Sequence, residues 1–154
     1  MNRRILARVT VALALAAFVL CGCMSTAKAF WEVKLTSAES AEEWDTFYVE
    51  SDSRNYMIVV QIEFKNLRRD AVQFSPESVV LVHTGLDETG WGQTPALHRS
   101  GSSTQVTDFS SDSVMYSVAG GESRADTFVY EFPRGYSDFV LYFPESEGIP
   151  IKLE

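Results

Sequence analysis

The sequence predicts an all-β protein, a two-sheet antiparallel β-sandwich of about seven or eight strands preceded by an export signal. Three observations predict it. Apolar residues recur at every second position over most of the chain after Phe30. Turn-forming residues separate these runs at short intervals. The first 22 residues form a basic start followed by an uncharged apolar run, too short for a comfortable membrane span.

The leader comes first. Arg3, Arg4 and Arg8 precede the apolar stretch from Val9 to Leu20, which ends in Leu20-Cys21-Gly22-Cys23. This ending resembles the lipobox of bacterial lipoproteins. The resemblance implies cleavage before Cys23, a diacylglyceryl group on its sulfur and usually a third acyl chain on its amine. Several chains are needed for a lasting anchor, because each buried methylene contributes only about 0.8 kcal/mol. Met24 after the cysteine, by the same resemblance, points to the outer membrane of a diderm host. A competing site exists at Ala27-Lys28-Ala29, where cleavage would release a soluble secreted protein starting at Phe30.

Removing residues 1–22 takes away three arginines and no acid, so the net charge moves from −8 to −11. Such acidity argues against nucleic acid and against electrostatic adhesion to anionic lipid. The two cysteines are Cys21, lost with the leader, and Cys23, the lipid attachment site. The mature domain therefore has no thiol for a disulfide, a metal or a nucleophile, and its core alone must stabilise it.

Met24 to Ala29 reads as a short tether. Trp31, Val33 and Leu35 then alternate with polar residues. Tyr56, Ile58, Val60, Ile62 and Phe64 alternate with Met57, Val59, Gln61, Glu63 and Lys65, giving the clearest strand. Val79 to Val82 is a short β-branched run, and Phe128, Tyr130 and Phe132 alternate through the next long strand. Phe132 to Ser137 reads as a hairpin loop leading to Phe139, Leu141 and Phe143. Ala38 to Trp44 is the single helical candidate, Ser100 to Ser113 a long loop with room for one short strand, and Pro144, Gly148 and Pro150 mark a non-strand tail. The division is thus 1–22 signal, 23–29 lipidated tether, 30–145 sandwich and 146–154 C-terminal tail.

Several of these segments resemble the telokin-like immunoglobulin-like domains of bacterial lipoproteins and secreted proteins. Ile58 to Asn66 is similar to their long central strand ending in Asn. Val80-Leu81-Val82 with Leu86-Asp87 is similar to the aliphatic run and acidic turn that follow. Gly121-Glu122-Ser123 and Phe128 to Gly135 are similar to a later turn and a strand ending Phe-x-x-Pro-x-Gly. Gly120 stands where those domains usually carry Pro. The resemblance implies an immunoglobulin-like fold and a binding or scaffold role, with no catalytic residues.

Candidate chemistry is sparse. His83 and His98 are the two imidazoles, fifteen residues apart, and a hairpin between them would bring them together. With Met57 or Met115 they would suit copper, and with Asp87 or Glu88 zinc, although the close ligand spacing of most metal sites is missing. Carboxylates at Asp108 and Asp112, and at Glu50 and Asp52, have the chemistry of calcium ligands without the EF-hand pattern. No serine sits in a Gly-x-Ser-x-Gly elbow. Glu42, Glu43 and Asp45 are adjacent acids on one solvated segment rather than a glycosidase pair. Trp44, Trp91 and Tyr136 are candidate contact aromatics. Gly90 and Gly92 beside Trp91 suggest an exposed loop, the other reading being that Trp91 folds back over one end of the sandwich.

These observations lead to a non-enzymatic, membrane-anchored extracytoplasmic protein without cofactor. It would act as an interaction or scaffold module for an envelope protein or polymer. The alternative is a periplasmic metal-binding domain using His83, His98 and loop carboxylates.

Overall fold

The computed structural model describes residues 30–49, 54–84, 92–101, 103–109 and 113–153. Cys23, the tether, Asp87, Glu88 and Trp91 lie outside the described residues, as do Glu50, Asp52 and Asp112. In chain order the strands are β1 (Trp31–Ala41), β2 (Glu43–Trp44), β3 (Phe47–Tyr48), β4 (Asn55–Asn66), β5 (Val72–Phe74), β6 (Val80–His83) and β7 (Gly92–Gln93). They continue with β8 (Leu97–Ser100), β9 (Val106–Asp108), β10 (Tyr116–Val118), β11 (Ser123–Pro133), β12 (Asp138–Tyr142) and β13 (Ile149–Lys152). A 3-10 turn, Pro76–Ser78, precedes β6.

Five strands in the order β1-β4-β11-β8-β9 make one sheet, and four in the order β13-β12-β6-β7 make the other. Every pairing is antiparallel. A β5–β10 ribbon and a β2–β3 hairpin complete the fold. Two-residue alternation sends Tyr56, Ile58, Val60, Ile62 and Phe64 of β4 to one face, with Phe128, Tyr130 and Phe132 of β11 beside them. They meet Leu81 of β6, Phe139 and Leu141 of β12 and Ile151 of β13. Each such side chain contributes about 1.5–3 kcal/mol when fully buried, and this shared interior holds the two sheets together.

Where the chain enters the fold, an aromatic cluster closes the sandwich. The Trp31 ring centroid lies 5.7 Å from Phe64, 5.8 Å from Phe74 and 5.5 Å from Phe143. The Trp31 contacts are all edge-on, as the aromatic quadrupole prefers.

Three expectations are corrected. The Ala38 to Trp44 segment is not helical, because β1 stays paired with β4 as far as Ala41 opposite Met57, after a register shift between Leu35 and Ser37. Long cross-strand pairing overrides the weak local preference. On the opposite face of β4, Met57 and Val59 pack with Leu97 and Val129 under Trp44, Phe47 and Val49. The loop after Phe132 is not a hairpin. It carries the chain from β11 in one sheet to β12 in the other. The C-terminal tail is not free of strand, for β13 pairs with β12, and Ile151 and Leu153 are buried in the core.

Gly120 has a steric reason for being glycine. A Cβ there would fall 2.0 Å from the carbonyl oxygen of Arg69, so the 118–122 turn can lie against the 66–70 turn only without a side chain.

Candidate functional site

Three polar clusters stand out in a fold otherwise packed with hydrocarbon. The first is buried between the sheets. Asp126 of β11 shares the inward face with Phe128, and His98 of β8 lies opposite Phe128 in register. His98 Nε2 is 3.1 Å from Asp126 Oδ2, and neither side chain has exposed surface. The backbone N–H of Gly101 donates to Asp126 Oδ1 at 3.0 Å, and Arg124 Nε lies 3.8 Å from the same oxygen. Arg124 also donates to Ser100 Oγ and holds its guanidinium 4.8 Å from the Tyr116 ring centroid. Phe109, Tyr116 and Phe128 surround the imidazole, with centroids 6.2, 5.5 and 4.9 Å away. An imidazole so enclosed is out of a solute's reach, which suits it to holding β8 against β11 rather than to attacking a substrate.

The second cluster lies at the β11–β12 crossover. His83 ends β6 and stacks on Tyr136 at 4.3 Å, with Phe132 edge-on at 6.4 Å. Tyr56 donates its hydroxyl to the Tyr136 carbonyl at 2.5 Å, and burial raises the Tyr56 phenol above its ordinary range. Tyr136 is thus half-buried and fixed from two sides.

The third cluster is organised by Asn66, which is fully buried at the end of β4. Its side-chain Nδ2 donates to the carbonyls of Asp70 at 2.9 Å, Val118 at 3.0 Å and Ala119 at 3.2 Å. Its Oδ1 accepts from the Arg68 backbone N–H at 2.9 Å. The Asn66 backbone bonds Glu122 and Gly121, while the neighbouring Leu67 N–H donates to the Phe30 carbonyl at 2.8 Å. One amide thus joins two turns to the strand end beside the entering chain, and every polar atom is satisfied as burial demands.

The structure separates several residues that the sequence had grouped. His83 and His98 belong to different sheets and, among the described residues, have no ring neighbour in common. Among the described residues no group of three or more His, Cys, Asp or Glu side chains could hold a metal ion. Met57 is buried under the hairpin and Met115 is exposed. Trp44 is half-buried, with the Arg99 guanidinium 4.6 Å from its ring centroid and Arg99 paired to Asp45 at 2.5 Å. Glu42 pairs with Arg134 at 3.0 Å, and Asp108 sits opposite Leu97 on β9.

Sequence reasoning missed Asp126, Arg124 and the role of Asn66. A signal for Asp126 was present, since period two places this acid on the same face as Phe128, Tyr130 and Phe132. An acid on an apolar face needs a buried partner, and His98 supplies it.

No protein-family model matches the chain, and no curated protein matches it. Among solved structures, an uncharacterized β-sandwich protein from Clostridium difficile 630 superposes with a TM-score of 0.51 at 12% sequence identity. The match covers 80% of this chain and 85% of that chain. At that identity it establishes the fold alone, an all-β antiparallel β-sandwich.

Proposed function

We propose that this protein is a non-enzymatic lipoprotein of the cell envelope, anchored through Cys23 and presenting one immunoglobulin-like sandwich of the telokin-like kind as an interaction or scaffold module. The observation that carries this reading is the closeness of anchor and fold. Cys23 of the lipobox-like Leu20-Cys21-Gly22-Cys23 stands seven residues before Phe30, whose carbonyl is already bonded into the sandwich. Asn66, where the resembled long strand ends, is a buried hub, which supports the immunoglobulin-like assignment. Both imidazoles are taken up inside the fold, His98 by Asp126 and His83 by Tyr136, which favours a scaffold over a catalyst. The partner is an envelope protein or polymer, and the outer membrane of a diderm host is the proposed location.

The intact mass of the chain purified from membranes tests this. Acyl chains on Cys23, with loss from the membrane fraction in Cys23→Ser, are the expected result. A soluble chain beginning at Phe30 would overturn it in favour of plain secretion.

The metal-binding reading draws on one observation: Nδ1 of both His83 and His98 is buried without a hydrogen-bond partner among the described residues. Calorimetric titration with zinc and copper decides it, tight stoichiometric binding abolished by His83→Ala being the required outcome. Absence of heat with either metal retires it.

A further inference from the structure

The 66–70 turn presents an exposed apolar side chain beside two exposed cations, in a frame too well bonded to be a casual loop. Leu67 keeps 49% of its surface exposed. Arg68 and Arg69 follow it, also exposed, and are the one adjacent pair of basic residues beyond the leader. Asn66 fixes the turn from below through the bonds already described, and the close approach of Gly120 to the Arg69 carbonyl fixes it from the side.

This turn is also where the chain enters. Leu67 N–H donates to the Phe30 carbonyl at 2.8 Å, and the Arg68 guanidinium carbon lies 3.2 Å from the Phe30 ring centroid. From Cys23 to Phe30 a fully extended chain spans at most about 25 Å. A lipid on Cys23 therefore holds this end of the sandwich, rather than the β11–β12 crossover, near the bilayer.

We propose that Leu67, Arg68 and Arg69, with Phe30, form a foot that seats the sandwich on the surface of a phospholipid bilayer. The proposal rests on the lipoprotein reading. A leucine flanked by guanidinium groups matches the headgroup boundary, where an apolar tip meets acyl chain and arginine forks onto phosphate oxygens. Asp70 follows Arg69 in the turn, and Glu145 lines the same shallow hollow as Arg68 and Phe30. The foot consequently recognises phosphate, common to all phospholipids, rather than net negative charge. Elsewhere the acidic mature surface is repelled by anionic lipid, which favours contact through this end.

The lipidated full-length protein is reconstituted in phosphatidylcholine vesicles containing phosphatidylglycerol and headgroup-nitroxide lipid. A bimane label is placed on Ser123→Cys, exposed at the start of β11 opposite Lys65, or on Ser137→Cys in the crossover loop. Cys23 is blocked by lipid, so each label is unique. Quenching is expected at position 123 and to be weak at 137. In the Leu67→Ser/Arg68→Gln/Arg69→Gln variant, quenching at 123 should fall below about half while the circular dichroism stays unchanged. The milder Arg68→Gln/Arg69→Gln pair should give a smaller loss in the same direction. Equal quenching in all three proteins, with lipid confirmed on Cys23 by mass, overturns the foot and leaves the lipoprotein reading standing. An unmodified Cys23 overturns both.

Discussion

His98 and Asp126 face each other across adjacent strands at 3.1 Å, with no exposed surface on either side chain. Removing one partner leaves the other polar group stranded in hydrocarbon, which typically costs about 3–5 kcal/mol for a buried pair. Asp126→Ala is expected to lose stability in that range and to free the Gly101 N–H as well. Asp126→Asn should lose less, because an amide oxygen can still accept from Gly101 while its nitrogen faces the imidazole. The joint replacement His98→Leu/Asp126→Leu should recover part of the loss. Urea midpoints at constant slope check all three, and equal destabilisation by Asn and Ala would show that the acceptor role is unimportant.

Asn66 makes a sharper case, because donation and acceptance can be separated. Its Nδ2 serves three carbonyls and its Oδ1 one N–H. Asn66→Ala strands these groups and is expected to cost about 2–4 kcal/mol, from roughly 1–3 kcal/mol per unsatisfied group with partial relief by water. Asn66→Asp should be at least as harmful at neutral pH, since an ionised carboxylate would confront the carbonyls of Asp70, Val118 and Ala119. Hydrogen exchange at 66–70 and 118–122 should rise in both variants. Protection lost in one turn but kept in the other would show that Asn66 does not join them.

Legibility followed the length of each pattern. The five inward residues of β4 and the three of β11 declare their face through unbroken alternation, and both strands lie where the sequence predicts. The β2–β3 hairpin escaped because two-residue strands have no period to read. β13 escaped because Pro150 argues against a strand, yet Pro is tolerated at a sheet edge, which is where β13 lies. The turn residues after Phe132 mark a change of direction, but nothing local says which sheet the next strand joins. The same gap misled the histidine pairing, since fifteen residues of spacing contain no information about sheet membership. Asn66 was visible as a strand end, whereas its partners at Val118 and Ala119 are more than fifty residues away.

Trp44 distinguishes a cover from a contact anchor. Its ring and Phe47 lie over Met57, Val59, Leu97 and Val129, so truncation opens the outer face of the first sheet to water. Trp44→Ala is expected to cost about 1–3 kcal/mol, below the usual 3–5 kcal/mol for a fully buried aromatic because the side chain is half-buried. Binding of an apolar fluorescent dye should increase in parallel. An unchanged melting temperature would instead show that the indole contributes little to the fold.

Tyr130 gives the protein an alkaline limit. The side chain is fully buried, its hydroxyl donates to the Val79 carbonyl at 3.1 Å, and burial pushes the phenol well above its ordinary value of 10.0. In the unfolded chain the proton leaves near pH 10, while the folded protein still holds it. The unfolded state then binds fewer protons, so stability falls as pH rises. The contribution is complete below pH 10 and declines above it by up to about 1.4 kcal/mol per pH unit until the folded phenol itself ionises. Tyr130→Phe should remove this part of the slope, at a cost of about 1 kcal/mol at neutral pH for the lost hydrogen bond. Tyr56, raised in the same direction, adds a smaller part that Tyr130→Phe leaves in place. Urea titrations from pH 8 to 11 measure it, and a wild-type slope retained in full by Tyr130→Phe would place the alkaline sensitivity on other groups.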